Sequence, residues 1–327
     1  MSRYADDNRD LRLDPDGRVG GYFRHAVYNH WDPYEDIEQE LIEQDRRRMI
    51  EADEEIIDEE GFDDLRQTIA LFGAGEEAVT EDLAPLAIAM DDINDQMFVS
   101  SQIYEEAKHT AFFDRYWREV INPVAEHHGL EITNPTDDRY FMPAYNQLFD
   151  DTEAAMHTLL EDDTPENRVR AFCHYHLAVE SVLAQTGYYG ITSSFSDGGG
   201  DITLDDVPEF PELEGLVKGV GYIRSDEGRH VGFGMYHVQE MLASGAVDEQ
   251  VVQDVLQEQM PNIAGIVSYS DSGFIDPSAL VEYASDKLTR RIEIITDSEA
   301  DIPPVDELVK LDDGEGGSTP SPAAGDD

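Results

Sequence analysis

The chain has 327 residues, 40% of them hydrophobic, and 73 acidic side chains against 22 basic ones give a formal net charge of −51. So large an acid excess opposes any binding that neutralises phosphates, which excludes nucleic acid and anionic membrane surfaces as expected partners. The longest apolar run, residues 83–90, is far too short for a membrane span, and the single cysteine, Cys173, excludes an internal disulfide framework and any Cys-based zinc cluster.

The length suits one large domain or two ordinary ones with a proper core. Only four of the basic residues are lysines: Lys108, Lys218, Lys287 and Lys310. An aromatic content of 9% and long apolar-periodic segments argue for folding rather than acid-driven disorder. The composition therefore reads as that of a salt-adapted, halophilic protein. The unpaired cysteine and an N-terminus without an apolar signal core place the expectation in the cytoplasm.

In chain order, residues 1–33 read as irregular, and Tyr34 to Glu60 as a polar surface helix, so residues 1–60 form an N-terminal segment. Residues 61–296 carry strong helical periodicity. Two long helices cover LRQTIALFGAGEEAVTEDLAPLAIAM and INDQMFVSSQIYEEAKHTAFFDRYWREVINPVAEH. A third runs from Pro143 to Leu160, and a fourth, opened by Thr164-Pro165, from Pro165 to about Gly187. Residues 194–212 read as a Gly/Pro/Asp loop. Leu213–Ser244, Asp248–Gln259 and Pro277–Thr296 are further helices. The acidic tail, 297–327, is expected to be disordered. With almost no strand-like alternation, the chain is expected to be all-α, a bundle of long antiparallel helices.

Two of the ten histidines follow a Glu by three residues: Glu106 with His109, and Glu227 with His230. Their contexts, EEAKHTAF at 105–112 and DEGRHVGF at 226–233, share one eight-residue pattern and read as an internal repeat. On a helix, residues i and i+3 share a face, so each Glu-His pair can bind one ion. A di-metal bundle site needs one further Glu from each of two other helices. Glu180 is the only acid in residues 167–196, a window whose poverty in acid marks it as buried. In GAGEEAVTEDL, Glu76, Glu77, Glu81 and Asp82 all compete for the remaining place, with Glu77 the fallback to Glu76. A single buried Glu-His pair is more often a structural hydrogen bond, but the repeat plus an isolated buried Glu reverses that judgement. Four carboxylates and two imidazoles suit manganese and iron. Asp226 is placed to accept the second ring N–H of a ligand histidine. His174, His176 and Cys173 are expected in the core, His127 and His128 at a solvated helix end, and Gly198–Gly200 in a flexible loop.

Glu76, Glu106-x-x-His109, Glu180 and Glu227-x-x-His230 resemble the small, radical-generating subunit of class I ribonucleotide reductase and its relatives, which are ferritin-like helical bundles. More specifically, they resemble the ribonucleotide reductase small-subunit-like ligand-binding oxidases, whose signature has Val three residues after the first ligand Glu and Tyr five before the third. Here Val79 follows Glu76 and Tyr175 precedes Glu180, which favours Glu76 over Glu77. The resemblance implies an oxygen-activating oxidase. Manganese would be held by Glu76, Glu106 and His109, and iron by Glu180, Glu227 and His230, with Glu106 bridging and a di-iron pair as the alternative. It further implies a long-chain fatty acid or similar apolar ligand, a Tyr175–Val79 ether cross-link, dioxygen as oxidant and a homodimer. The alternative is a reductase small subunit. Against it stand Phe113, where the radical tyrosine would be, and the absence of any Tyr after Tyr283. A non-catalytic storage bundle is opposed by Tyr175 and by the chain length.

Overall fold

The computed structural model describes residues 12–52, 59–196, 211–269 and 276–309, and among them there is no strand. Four long rods form the centre. They are α3 (Glu59–Ala89); α4 (Ile93–Tyr116), running through a π-helical turn (Trp117–Ile121) into α5 (Asn122–His128); α7 (Pro165–Phe172), running through a π-helical segment (Cys173–Ala184) into α8 (Gln185–Phe195); and α9 (Glu214–Ala243). Around them lie α1 (Arg18–Tyr28), α2 (Gln39–Glu51), α6 (Pro143–Glu161), α10 (Glu249–Val267), α11 (Pro277–Thr296) and the single turn α12 (Val305–Leu308). α3 packs along α4 and α6, while α9 packs on the π-helical segment, α8 and α4.

Local sequence sets the ends. Asp92, Thr164, Asp248 and Asp276 each accept a hydrogen bond from a backbone N–H in the first turn of α4, α7, α10 and α11. Pro165 and Pro277 occupy first-turn positions that need no donor. α5 ends at His128 because Gly129 adopts φ +69°, a left-handed cap that glycine reaches without strain. Two apolar clusters flank the middle of the bundle. One holds Val79, Phe98, Val99, Tyr175 and Phe233, and the other Trp31, Phe112, Phe113, Trp117 and Tyr188. Along α4 the stretch between Val99 and Phe112 therefore has apolar packing at both ends and polar side chains buried between them.

Three sequence expectations need correction. Residues 18–28, read as irregular, form α1, whose buried stripe is Val19, Tyr22 and Ala26; the paired glycines hid a helical spacing. The surface helix expected from Tyr34 to Glu60 is shorter, Gln39–Glu51, and it buries Ile42, Asp45 and Met49. Residues 297–309, assigned to a disordered tail, pack against the bundle with Ile302, Leu308 and Val309 buried. The arginines Arg291 and Arg224 hold the carbonyls of Leu308 and Val309 at 2.6 and 2.7 Å. α12 approaches α9 at Gly228, where a Cβ would fall 2.7 Å from Val305 Cγ1 and from its carbonyl oxygen. Residues 197–210, which hold most of the expected loop including Gly198–Gly200, and residues 310–327 lie outside the described residues.

Candidate metal centre

The π-helical segment Cys173–Ala184 carries two of the expected site residues. In an α-helix, residues five apart point about 140° from each other. With i→i+5 hydrogen bonding they lie nearly one above the other, so the same segment turns Tyr175 and Glu180 toward one face. Their side chains meet a shared neighbour from α4: Gln102 Nε2 donates to Glu180 Oε1 at 2.9 Å and lies 3.4 Å from Tyr175 Oη.

Four helices converge here. Glu76 comes from α3, Glu106 and His109 from α4, Glu180 from the π-helical segment, and Glu227 and His230 from α9. Ligand-capable atoms of Glu76, Glu106, His109 and Glu227 lie within 4.8 Å of one another, and so do those of Glu106, Glu180 and His230. Glu106 thus belongs to both groups, with Oε2 3.1 Å from His109 Nδ1 and Oε1 3.1 Å from His230 Nδ1. Glu227 also reaches both, at 3.6 Å from His109 Nδ1 and 3.5 Å from His230 Nδ1. All six side chains are buried. Glu77, the competing glutamate, is exposed.

The donor set fits a pair of cations. Glu180 Oε2, Glu227 Oε2 and His230 Nδ1 are buried with no hydrogen-bond partner, a costly arrangement unless another group engages them. Four carboxylates balance the charge of two divalent ions, and imidazole with carboxylate suits manganese and iron. Without cations the groups restrain each other. Burial pushes Glu76 up to about 8 and raises Glu180 and Glu227, which also face neighbouring carboxylates. Burial acts on Glu106 in the same direction, but the two imidazoles outweigh it and hold Glu106 well below the usual range. His109 and His230 are held well above theirs by the surrounding carboxylates, against burial.

The repeat noticed in the sequence acquires a mechanical meaning. Asp226, one residue before Glu227, sits with Oδ2 3.1 Å from Nε2 of His109, a residue of the other copy. Glu105, one before Glu106, is the counterpart, with Oε2 2.9 Å from Nε2 of His230. Each copy therefore braces the other's histidine, leaving Nδ1 free to face the centre. The basic positions of the repeat complete the brace. Lys108 Nζ lies 2.8 Å from Asp226, and Arg229, fully buried, pairs with both Glu105 and Asp226. Trp31 Nε1 donates to Asp226 Oδ2 at 2.7 Å. Burial would raise Asp226, but Arg229, Lys108 and His109 hold it well below the usual range.

Sequence reasoning named Asp226 but missed Glu105, Gln102, Trp31 and Tyr188. The first acid of the eight-residue pattern would have given Glu105. Gln102, four residues before Glu106 on α4, lies at a helical spacing that could have named it, whereas Trp31 and Tyr188 come from other elements and leave no spacing signal. Tyr188 Oη lies 3.4 Å from Glu76 Oε1 and 3.5 Å from Glu227 Oε1. Tyr175 Oη donates to Glu106 Oε1 at 2.8 Å, and Val79, one turn beyond Glu76, is buried in the same apolar cluster as Tyr175. Phe113 is stacked on Phe72 at 5.6 Å, so no phenol occupies that position. His176 faces Gln102 Oε1 at 3.3 Å, and His174, also buried, lies beside Asp151 and Gln259; neither joins the cluster. Cys173 is buried, which raises its thiol, and His127 and His128 end α5 as expected.

No protein-family model matches the chain. Among solved structures it is similar to a Tyr-to-Phe variant of an R2-like ligand-binding oxidase with aerobically reconstituted Mn/Fe cofactor. The match has 26% identity and a TM-score of 0.70, over 86% of this chain and 94% of the other. It is likewise similar to a Val-to-Leu variant with anaerobically reconstituted Mn/Fe cofactor, at 26% identity and a TM-score of 0.72, over 88% and 96%. The solved R2-like oxidases include variants of a glycine, of the glutamate directly after it and of a valine three positions beyond that glutamate. Gly75, Glu76 and Val79 have that spacing here. The chain thus shares, over most of its length, the helical fold of the R2-like ligand-binding oxidases, the proteins that its motifs resemble.

Proposed function

We propose that the chain is a di-metal oxidoreductase, an oxygen-activating Mn/Fe oxidase that acts at the centre built by Glu76, Glu106, His109, Glu180, Glu227 and His230. The observation that carries this reading is the pair of buried donor groups sharing Glu106, with three orphaned polar atoms inside them. Manganese would be held by Glu76, Glu106 and His109, and iron by Glu180, Glu227 and His230, with Glu106, which belongs to both groups of donors, shared between them. The metals, when bound, supply the electrons that reduce dioxygen. The protein's residues do the rest. Glu105 and Asp226 fix the imidazoles, Gln102 fixes Glu180 and Tyr175, and the flanking apolar clusters exclude water.

The same reading includes a long-chain fatty acid whose carboxylate meets the metals, and an ether between Tyr175 Oη and Val79 Cβ formed only after the reduced metals meet dioxygen. Cross-linking removes two hydrogens, the phenolic one and that on Val79 Cβ, with dioxygen as the acceptor. The position of the Tyr175 hydroxyl on Glu106 and of Val79 one turn from Glu76 supports it. A salt-adapted cytoplasmic homodimer completes the reading. Peptide mass spectrometry tests the central claim. The peptides bearing residues 79 and 175 should be joined, two hydrogens lighter, in aerobically metal-loaded protein, and separate in anaerobic apo-protein. Separate peptides in fully loaded aerobic protein refute the cross-link, and metal contents without manganese or iron refute the oxidase.

A further inference from the structure

A cavity of about 240 Å³ lies between α6, α10 and the rod that runs from α7 into the π-helical segment, and none of the six central ligands lines it. α6 presents Ala154 and Ala155 here, while its neighbours present long polar side chains. The polar lining is divided by charge. Arg170 and His174, four apart and so on one helix face, supply donors on one wall. Asp151 on α6 and Glu258 on α10 supply carboxylates.

His174 is the unusual member. It is only 9% exposed, its Nδ1 is enclosed without a hydrogen-bond partner, and its ring forms no hydrogen bond to any described residue. A phenylalanine or leucine would pack there without the cost of a buried, unpartnered imidazole. Burial lowers its pKa, so the ring is neutral. With Nδ1 walled off from any acceptor, the one ring hydrogen belongs on Nε2, the nitrogen left to the cavity. Beside it, Glu166 Oε1 accepts from Arg170 Nε at 3.2 Å and Nη2 at 2.9 Å, which orients the guanidinium and leaves Nη1 uncommitted. Asp151 already accepts from Gln147 and Gln259 at 2.8 and 3.0 Å, so Glu258 is the carboxylate still without a donor. An anion alone would meet two acids here, and a cation alone would meet Arg170. We propose that the cavity binds a small α-amino acid, with its carboxylate on Arg170 and His174, its ammonium toward Glu258, and its side chain against Ala154 and Ala155. Complementary charge on both ends gives the selectivity. The volume, below the roughly 300 Å³ at which drug-sized pockets begin, limits the ligand to a short side chain.

The test uses the full chain with its core metals loaded. Equilibrium dialysis measures binding of radiolabelled glycine, L-alanine and L-valine, with acetate and methylammonium as controls that carry one charge each. At least one of the three amino acids should fill a single saturable site per chain, and both controls should bind at least tenfold more weakly. Arg170→Gln, Glu258→Gln and His174→Phe should each weaken that site at least fivefold, and Ala155→Leu, which fills the cavity, should abolish it. Arg170 and Glu258 reach solvent, so their variants keep the test valid even where His174→Phe alters packing. No saturable binding of any of the three amino acids overturns the proposal. So does a control that binds equally well, a site that survives Ala155→Leu, or unchanged affinity in Arg170→Gln and Glu258→Gln.

Discussion

Replacing Glu105 by Gln tests the reciprocal brace, because it changes one charge and almost no volume. Glu105 Oε2 is 2.9 Å from His230 Nε2, and its other oxygen is paired with Arg229, whose side chain is fully buried. An amide oxygen can still accept from the ring, so the tautomer that turns Nδ1 inward is kept. The negative charge that makes the imidazole a stronger donor to metal is lost. Removing such an outer partner costs 10- to 100-fold in metal affinity, which is about 1.4–2.7 kcal/mol. The loss should fall chiefly on the ion next to His230, because His109 is braced by a different carboxylate, Asp226, at 3.1 Å, with Arg229 the one side chain the two braces share. Asp226→Asn should show the mirror image, although Lys108 and Trp31 also bind that carboxylate and broaden its effect. The assay is competitive titration against a chelator of known affinity, with the two ions resolved by their metal-specific spectra. Exposed Glu77→Gln serves as the control. Unchanged affinity in Glu105→Gln, or equal weakening of both ions, would refute the reasoning.

Purified protein should carry two transition-metal ions per chain, and His109→Ala or His230→Ala should lose one or both, as read by elemental analysis. Gly234→Ala should destabilise the fold by about 1–3 kcal/mol, since the new Cβ would fall 2.3 Å from His176 Cβ, an atom that cannot swing away; thermal melting checks it. Asp45 takes hydrogen bonds from the backbone of Gly215 and Leu216 and from Tyr116, but burial still pushes it up to about 6. A carboxyl raised in the folded state binds its proton more tightly there, so its stabilising contribution is complete below about pH 4 and is lost as pH rises through about 6. Between those limits the unsubstituted protein should lose up to about 3 kcal/mol relative to Asp45→Asn, measured by urea unfolding at each pH.

How much of this could be read from the sequence depends on the range of the signal. Glu106, His109, Glu227 and His230 were visible because i, i+3 spacing is local and the repeat doubled it. Glu180 was visible because its surroundings lack acid. The choice of Glu76 needed a resemblance, since Glu76 and Glu77 are equivalent to composition and only the helix rotation separates a buried one from an exposed one. The π-helical segment left no trace in the sequence, because its i→i+5 bonding is chosen by packing against α9 and α10 and not by propensity. α1 was missed for a related reason. Its glycines argue locally for a loop, and the buried stripe of Val19, Tyr22 and Ala26 becomes decisive only once α4 and α9 are there to cover it.

The buried charge also connects the fold to its metals. Three of the four central carboxylates are raised and both imidazoles are raised, so without cations the cluster stores protons. Cations must displace those protons, because ligating nitrogen and oxygen atoms have to be bare. Metal binding therefore releases protons and tightens as pH rises. Ions that bind the folded chain and not the unfolded one stabilise it by mass action. The protonated cluster leaves Glu180 Oε2 and Glu227 Oε2 without partners, so the apo-protein carries a desolvation cost that the loaded protein does not. Asp226 and Glu105 hold the histidines from outside the centre and also pair with groups that bind no metal. Their partners are Arg229, Lys108 and Trp31, so the brace is already formed before any metal arrives. Preformed outer partners and proton-filled inner ones make a site that is rigid where it must aim the histidines and exchangeable where it must accept the ions.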